Sequence, residues 1–252
     1  MNRVISLCVA GLFVRPGTLY STSSQMKPNR GSNATIRSAL MAAFAAACLL
    51  AAPLPASAFE RGSGVAKTET RMPGPFTKIE TSGSVVLEVT SGQSSTVILV
   101  SGDNNVVPLV KTTVSGDVLK IRVDESHTAK LPLVVKIAMP KLVAVSASGA
   151  AKVNAANLGG PRFELKGSGA VKATLGGRVD ELSIDINGAA RIDAIALAAR
   201  NVTVSASGAG TVDVNAADKL NVHLSGAGKV SYLGDPVVTK SISAAGTIQR
   251  KK

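Results

Sequence analysis

The chain has 252 residues, of which 45% are hydrophobic and 3% aromatic, and its formal net charge is +12. The basic residues are spread along the chain and few aromatic residues lie among them, which argues against a nucleic-acid-binding protein. The only two cysteines are Cys8 and Cys48, so the composition also excludes a disulfide-rich scaffold.

Residues 1–58 are predicted to be a secretory signal peptide. Arg37 precedes an uncharged apolar segment at residues 38–52, and the segment is followed by Ala56-Ser57-Ala58. A basic flank, an apolar stretch and small residues at the last and third-last positions are typical of a cleaved leader. The apolar segment is short for a membrane span, and no second one follows, so we expect no transmembrane span in the mature chain. We expect cleavage after Ala58 and export to the periplasm, the outer-membrane surface or the extracellular space.

The leader is long, and two explanations of residues 1–25 stay open. Met26 would start a leader of more usual length, in which case residues 1–25 come from a wrongly assigned start codon; otherwise the leader is unusually long. Cleavage removes both cysteines, and therefore thiol chemistry. It also removes five of the 28 basic residues and none of the 16 acidic ones, which leaves a net charge of +7. This charge favours a diffuse attraction to anionic surface polymers.

The mature chain is predicted to begin with a flexible lead-in at residues 59–75, because Gly62, Gly64, Pro73 and Pro75 interrupt it. The folded domain then covers residues 76–249, and a basic tail occupies residues 250–252. Within the domain, residues 76–140 contain short apolar strands and a plausible hairpin at Ser115-Gly116-Asp117, and residues 141–249 contain repeats.

The repeats are six exact or near copies of the phrase Ser-Gly-Ala-(Ala/Gly)-x-hydrophobic, at intervals of 18 to 20 residues. A fixed period of this length is typical of a solenoid. The corners of the solenoid are predicted at the repeat glycines, Gly149, Gly169, Gly188, Gly208, Gly226 and Gly246. The residues just before the first five of these glycines form a possible outward ladder, Ser148, Ser168, Asn187, Ser207 and Ser225.

Apolar residues alternate with polar ones before each corner. The positions four residues before the glycine are Val145, Leu165, Ile184, Val204 and Val222. This alternation predicts strands that have one buried and one solvent-exposed face and that stack in register. The sixth copy is degenerate, since Ala244 replaces the first glycine and Lys240 takes an inward place, as expected of a terminal repeat. The predicted fold is an all-β parallel β-helix or β-solenoid with about six rungs of about 20 residues, preceded by short strands and a hairpin.

The chain resembles the family of bacterial exported proteins described as "putative auto-transporter adhesin, head GIN domain", over about residues 76–249. The resemblance rests on the order of several short pieces, at residues 76–84, 102–104, 118–121, 186–188, 207–210 and 225–228. It implies a β-helix-like fold, export and no established set of catalytic residues.

No catalytic, cofactor-binding or metal-binding set is predicted. The two histidines, His127 and His223, are far apart in the sequence and are expected to be solvated. Asp193 and Asp213 share one repeat position and could stack on adjacent rungs, but a solvated charged face explains them more simply than a calcium site.

We therefore expect a non-enzymatic adhesion module of the cell envelope that binds a surface glycan or an envelope protein and needs no cofactor. One alternative is a self-assembling structural envelope protein, a homo-oligomer joined through the solenoid ends. A second alternative is a β-helix enzyme active on acidic polysaccharides. Nucleic acid is not an expected partner.

Overall fold

The computed structural model describes residues 60–123 and 127–251. The predicted signal peptide, its cleavage point, the two start positions and the loop before His127 lie outside these residues. The described chain is all-β, with 69% strand and about five solenoid turns, against about six predicted rungs. One 3-10 turn lies at Val107–Leu109. No helix in this part of the chain is long and apolar enough to span a membrane.

The described residues form seventeen strands, and fifteen of these belong to one continuous sheet. Their bounds are β1 (Glu60–Arg61), β2 (Ala66–Arg71), β3 (Lys78–Ser82), β4 (Val86–Thr90), β5 (Val97–Asp103), β6 (Val110–Ser115), β7 (Val118–Val123), β8 (His127–Thr128), β9 (Val134–Ala138), β10 (Ala144–Gly149), β11 (Lys152–Gly169), β12 (Lys172–Gly188), β13 (Arg191–Ser207), β14 (Thr211–Leu224), β15 (Lys229–Leu233), β16 (Val237–Ile242) and β17 (Thr247–Arg250).

The repeats stack in parallel and in register, as the alignment predicts. Strand pairing places Val145 opposite Leu165, Leu165 opposite Ile184, Ile184 opposite Val204, and Val204 opposite Val222. All five side chains are at most 1% exposed. A second buried file follows each corner and contains Val153, Ala173, Ile192, Val212 and Val230. These files fill the interior of the solenoid, and burying each large aliphatic side chain contributes about 1.5–3 kcal/mol.

The long strands β11, β12 and β13 each contain a bend between two straight segments. In β11, residues 152–155 and residues 162–169 pair regularly with β12, and the register shifts between Ala155 and Leu158. Asn157 takes a positive φ of 58° at this bend. Because the shift recurs in the next strand pairs, the bends also stack on one another.

Residues 76–140 supply layers of the same stack. β3 pairs with β10 and β4 pairs with β11, both in parallel, so that Ile79 and Leu87 extend the two buried files. β7 and β9 then stack on the other side of β3 and β4. The β3–β4 layer is therefore sandwiched between a layer that follows it in the chain and the first repeat.

Antiparallel strands cover the amino-terminal end of the stack. β6 pairs with β7, and β5 pairs with β9. The β6–β7 pair is the hairpin expected around Gly116, where φ is +62°. The antiparallel strands β5 and β6 therefore end the parallel stack, and they cover the outer edges of β9 and β7.

The expected flexible lead-in at residues 59–75 contains two strands instead. β2 pairs with β5 along six residues, and Arg71 donates hydrogen bonds to the main-chain oxygens of Val110 and Val107. Gly62 lies so close to the Asp103 carboxylate that an added Cβ would overlap it. The glycines that predict flexibility therefore permit a close contact with the folded domain.

The carboxyl-terminal end of the stack is open. Within the part of the chain that the structure describes, β16 pairs only with β14, and β17 pairs only with β15. Val237 is 72% exposed and Ile242 is 38% exposed on this last layer, while Lys240 occupies the position above Val222 in the first file. The last repeat thus has one bare edge, and a lysine takes the place of an aliphatic residue.

Candidate functional site

Stacked glycines form the solenoid corner. A Cβ on Gly169 would lie 2.8 Å from the Gly149 oxygen, and one on Gly188 would lie 2.6 Å from the Gly169 oxygen. Gly149, Gly169, Gly188 and Gly208 all have positive φ values between 83° and 129°. Glycine is required at these positions both by the close approach of neighbouring turns and by the left-handed backbone. Their role is architectural.

The last two predicted corner glycines differ from the others. Gly226 stacks on Gly208 without a positive φ, and a Cβ there would overlap the Gly208 main chain. Gly246 does not continue the stack, because its nearest neighbours are side-chain atoms of Leu224 and Ile242. The degenerate sixth repeat explains the difference, since Ala244 occupies the position that is homologous to Gly226.

The predicted outward ladder forms one file on the surface. Four of its members are direct neighbours on successive strands, namely Ser148, Ser168, Asn187 and Ser207. Ser225 comes directly after the end of β14, and its main-chain N–H donates to the Ala206 oxygen on β13. The Ser207 hydroxyl donates to Asn187 Oδ1 at 3.2 Å, and the Ser148 hydroxyl donates to the Thr81 oxygen at 3.4 Å. These bonds run between turns, so the file both ties turns together and presents hydroxyl and amide groups to solvent.

A shallow groove lies beside this ladder on the same sheet face. It has a volume of about 180 Å³ and its floor includes Asp185, Ser205, His223 and Ser241, which are consecutive strand neighbours. Half of the residues that line the groove are serines, and His223 is exposed there as the alternation predicts. Donors and acceptors repeat at each strand, about 4.8 Å apart.

The structure also assembles a basic file that the sequence reasoning missed. Lys152 lies opposite Lys172, Lys172 opposite Arg191, Arg191 opposite Thr211, and Thr211 opposite Lys229. We call these five residues the basic ladder. Each member follows its corner glycine by three residues, so the alignment contained the pattern, at the variable position of the repeated phrase.

Asp193 and Asp213 are direct strand neighbours, so the two carboxylates stack. Asp193 accepts a hydrogen bond from the Ile195 main-chain N–H at 3.2 Å, and Asp213 pairs with Lys251 Nζ at 3.4 Å. Across residues 60–123 and 127–251, no three histidine, cysteine, aspartate or glutamate side chains converge into a metal site. Each carboxylate therefore has a partner within the protein.

Asp103 is the one acidic side chain that is fully buried among the described residues, at 1% exposure. Its carboxylate accepts hydrogen bonds from the main-chain N–H groups of Gly64 at 2.6 Å, Lys130 at 2.9 Å and Leu131 at 3.1 Å. Burial by itself raises the pKa of this carboxyl, but the three N–H donors outweigh burial and hold the pKa below its usual range. Asp103 thus fastens the lead-in segment to the end of the stack.

Three solved structures resemble this chain. A putative adhesin from Bacteroides fragilis NCTC 9343 is 21% identical, with a TM-score of 0.61, and the match covers 76% of this chain and 99% of that one. A putative lipid-binding protein from Parabacteroides distasonis ATCC 8503 is 20% identical, with a TM-score of 0.49 and coverages of 76% and 99%. A putative adhesin from Parabacteroides merdae ATCC 43184 is 20% identical, with a TM-score of 0.45 and coverages of 76% and 98%.

The Bacteroides fragilis likeness shows a shared fold. No curated protein matches the chain. A family model described as "Putative auto-transporter adhesin, head GIN domain" matches residues 75–236, which is well over half of the chain and agrees with the resemblance drawn from the short motifs. The chain belongs to this family.

Proposed function

We propose that the protein is an exported, non-enzymatic adhesion module of the cell envelope that binds a surface polymer or an envelope protein. The observation that carries the proposal is the set of straight, in-register files of polar side chains on the outside of the solenoid. Such files offer a repeating surface to a repeating ligand. Membership of an adhesin family supports the same function.

Rigidity of the scaffold also supports binding. The polar files lie on strands whose opposite faces fill a continuous buried core, so the backbone cannot easily rearrange around a ligand. Binding of a ligand therefore carries little entropic cost for ordering the protein surface. Export to the periplasm, the outer-membrane surface or the extracellular space is part of the proposal, and rests on the leader sequence and on the family.

The test is binding of the protein, expressed from its full-length gene and purified, to three kinds of surface. These are immobilised glycans, envelope fractions of the bacterial host, and glass or polystyrene as abiotic surfaces. We expect saturable binding to at least one glycan or envelope fraction. Absence of binding to all of them would contradict the proposal. Release of unsaturated, ultraviolet-absorbing products from an acidic polysaccharide in the presence of calcium would contradict its non-enzymatic part.

Self-assembly is a second candidate function, and the open carboxyl-terminal end favours it. The exposed Val237 and Ile242 lie on β16, whose outer edge is unpaired, and such an edge can add a further strand from another chain. Light scattering over a concentration series separates the two functions. A mass that rises with concentration supports assembly, whereas a constant monomer mass excludes it.

A further inference from the structure

The basic ladder concentrates positive charge along one line parallel to the solenoid axis. Lys152, Lys172 and Arg191 are exposed and occupy three successive strands, and Lys229 follows after Thr211. Strands are about 4.8 Å apart, so the ladder spans about 19 Å from its first member to its last. Like charges in directly opposite positions destabilise a sheet.

Among the described residues, the ladder differs from other cations on the sheet surface because its cations lie directly opposite one another without an acidic partner, whereas the equally unpaired Arg178 and Lys219 lie opposite uncharged residues. None of its four charged members makes an ion pair or a side-chain hydrogen bond within residues 60–123 and 127–251. Elsewhere, Lys136 pairs with Glu88 on the adjacent strand at 3.3 Å, and Arg122 pairs with Glu80 in the same way at 3.3 Å. Neutralising pairs are therefore available to this fold, and the ladder lacks them.

The surroundings of the ladder favour an extended ligand. On one side lies the corner, where the residue after each glycine is a small, exposed alanine, namely Ala150, Ala170, Ala189, Ala209 and Ala227. On the other side the next outward file begins with Asn154 and Thr174 and continues with Asp193 and Asp213. The Asp193 carboxylate repels an anion from that side, whereas Asp213 is paired with Lys251. A polyanion is therefore directed along the ladder and over the corner formed by the small alanines.

We propose that the basic ladder binds a linear acidic polysaccharide that lies parallel to the solenoid axis, with carboxylates of the polysaccharide placed on the cations of the ladder. This inference rests on the proposed function and specifies its ligand. The distance between strands is comparable to the length of one sugar in an extended chain, so the ligand and the ladder have repeats of similar length.

Two other polyanions fit the surface less well. Nucleic acid binding to a flat surface commonly uses aromatic platforms, and the described aromatic side chains Phe76, Phe163 and Tyr232 are buried or packed against the core. An anionic membrane would be favoured by apolar anchors near the cations. The large exposed apolar residues Val65, Met72, Val237 and Ile242 lie in the lead-in and the last layer, away from Lys152, Lys172 and Arg191.

The experiment measures the affinity of the full-length-expressed, purified protein for polygalacturonate by calorimetry, in the wild type and two triple variants. The ladder variant is Lys152→Gln, Lys172→Gln and Arg191→Gln. The control variant is Lys141→Gln, Arg178→Gln and Lys219→Gln, which removes the same charge from exposed cations outside the ladder. We expect the ladder variant to lose at least tenfold in affinity and the control variant to stay within about threefold of the wild type.

The melting temperature provides a second measurement that is independent of calorimetry. Polygalacturonate should raise the melting temperature of the wild type and of the control variant, but not that of the ladder variant. The ladder variant alone should melt at or slightly above the wild-type temperature, because it loses like-charge repulsion.

Several outcomes would overturn the inference. Equal losses in the two triple variants would mean that only net charge matters. Equally tight binding of single-stranded DNA, or binding of vesicles rich in anionic lipid without binding of polygalacturonate, would assign the ladder to another ligand. If the protein binds envelope fractions or another glycan but not polygalacturonate, only this inference fails; if it binds none of these, the proposed function fails as well.

Discussion

At the scale of single residues, the backbone conformation of the corner glycines places the strictest limit on the sequence. The corner glycines combine positive φ with contacts to the turn below that leave no room for a Cβ. A side chain at such a position has to be accommodated by moving main-chain atoms, which a close-packed stack resists. Substitution at one corner should therefore disturb the neighbouring turn as well.

Gly169→Ala should destabilise the protein by at least about 2 kcal/mol, because the new Cβ meets the Gly149 oxygen and φ is +93°. The control is Gly176→Ala, where the nearest atom would be the Ala196 Cβ at an ordinary 3.7 Å. That variant should stay within about 1 kcal/mol of the wild type. Urea unfolding followed by circular dichroism measures both, and equal stabilities would contradict the corner geometry.

Ile186→Asp should unfold the repeat region or cost more than about 4 kcal/mol, because it buries an unpaired carboxylate at a position that is 1% exposed. Gly167 on the adjacent turn leaves the space that Ile186 fills, so a smaller polar side chain would also leave a void. His223→Asp on the exposed face is the matched control and should change stability little. Thermal melting separates the two, and similar melting temperatures would show that the inside and outside faces are wrongly assigned.

Asp103 gives the fold a pH dependence of known sign. Because its pKa in the folded protein is lowered, the ionised carboxylate stabilises the fold above the pKa of the unfolded chain. This stabilisation is lost as the pH falls below about 4, through the folded pKa. Asp103→Asn should lower the melting temperature at pH 7. Between pH 5 and pH 2.5, the melting temperature of the variant should decrease less than that of the wild type. An unchanged melting temperature at pH 7 would contradict the anchoring role.

At the scale of elements, the two ends of the stack are protected differently. Antiparallel strands cover the first layer, whereas the last layer consists of the edge strands β16 and β17, each paired on one side only among the described residues. Lys240 lies on β16 in the file that is aliphatic in every repeat below it. An inward charge at a sheet edge hinders the addition of another strand, because the added layer would bury it.

Lys240→Val should therefore increase association of the protein through its carboxyl-terminal end. Analytical ultracentrifugation at increasing protein concentration would measure this. The control is Lys219→Gln, a loss of the same charge from the outward face of β14. If the Lys240 variant associates no more than the control, the lysine does not protect this edge.

At the scale of the whole molecule, each turn contacts only the turns next to it. Stability in such a structure is close to a sum over turns and their interfaces, so terminal turns are the least stable. The last layer, with one neighbour and exposed Val237 and Ile242, has the smallest share of the core.

Amide hydrogen exchange should reveal this gradient. Peptides from β16 and β17 should exchange much faster than those from β12 and β13, which have a neighbour on both sides. Mass spectrometry resolves these peptides. Uniform protection along the repeats would indicate that the domain opens only as a whole.

The repeats made most of the fold predictable, because a period of about 20 residues and alternating apolar positions determine both register and buried face. The amino-terminal layers were not predictable in the same way, since the order of β3, β7 and β10 in the stack depends on long-range pairing. The lead-in strands were missed because glycine and proline content indicates loops, whereas Gly62 serves close packing against Asp103. The basic ladder was missed because its residues vary in type and lie at the variable position of the repeat.

The β3–β4 layer has a consequence for how the chain assembles. Its two neighbours come from residues 118–138 on one side and from residues 144–156 on the other. The order of synthesis therefore differs from the order of stacking. Because synthesis starts at the amino terminus, one side of the β3–β4 layer has no partner strand until the first repeat has been made. During this interval the nascent protein is most vulnerable to pairing with another copy of itself.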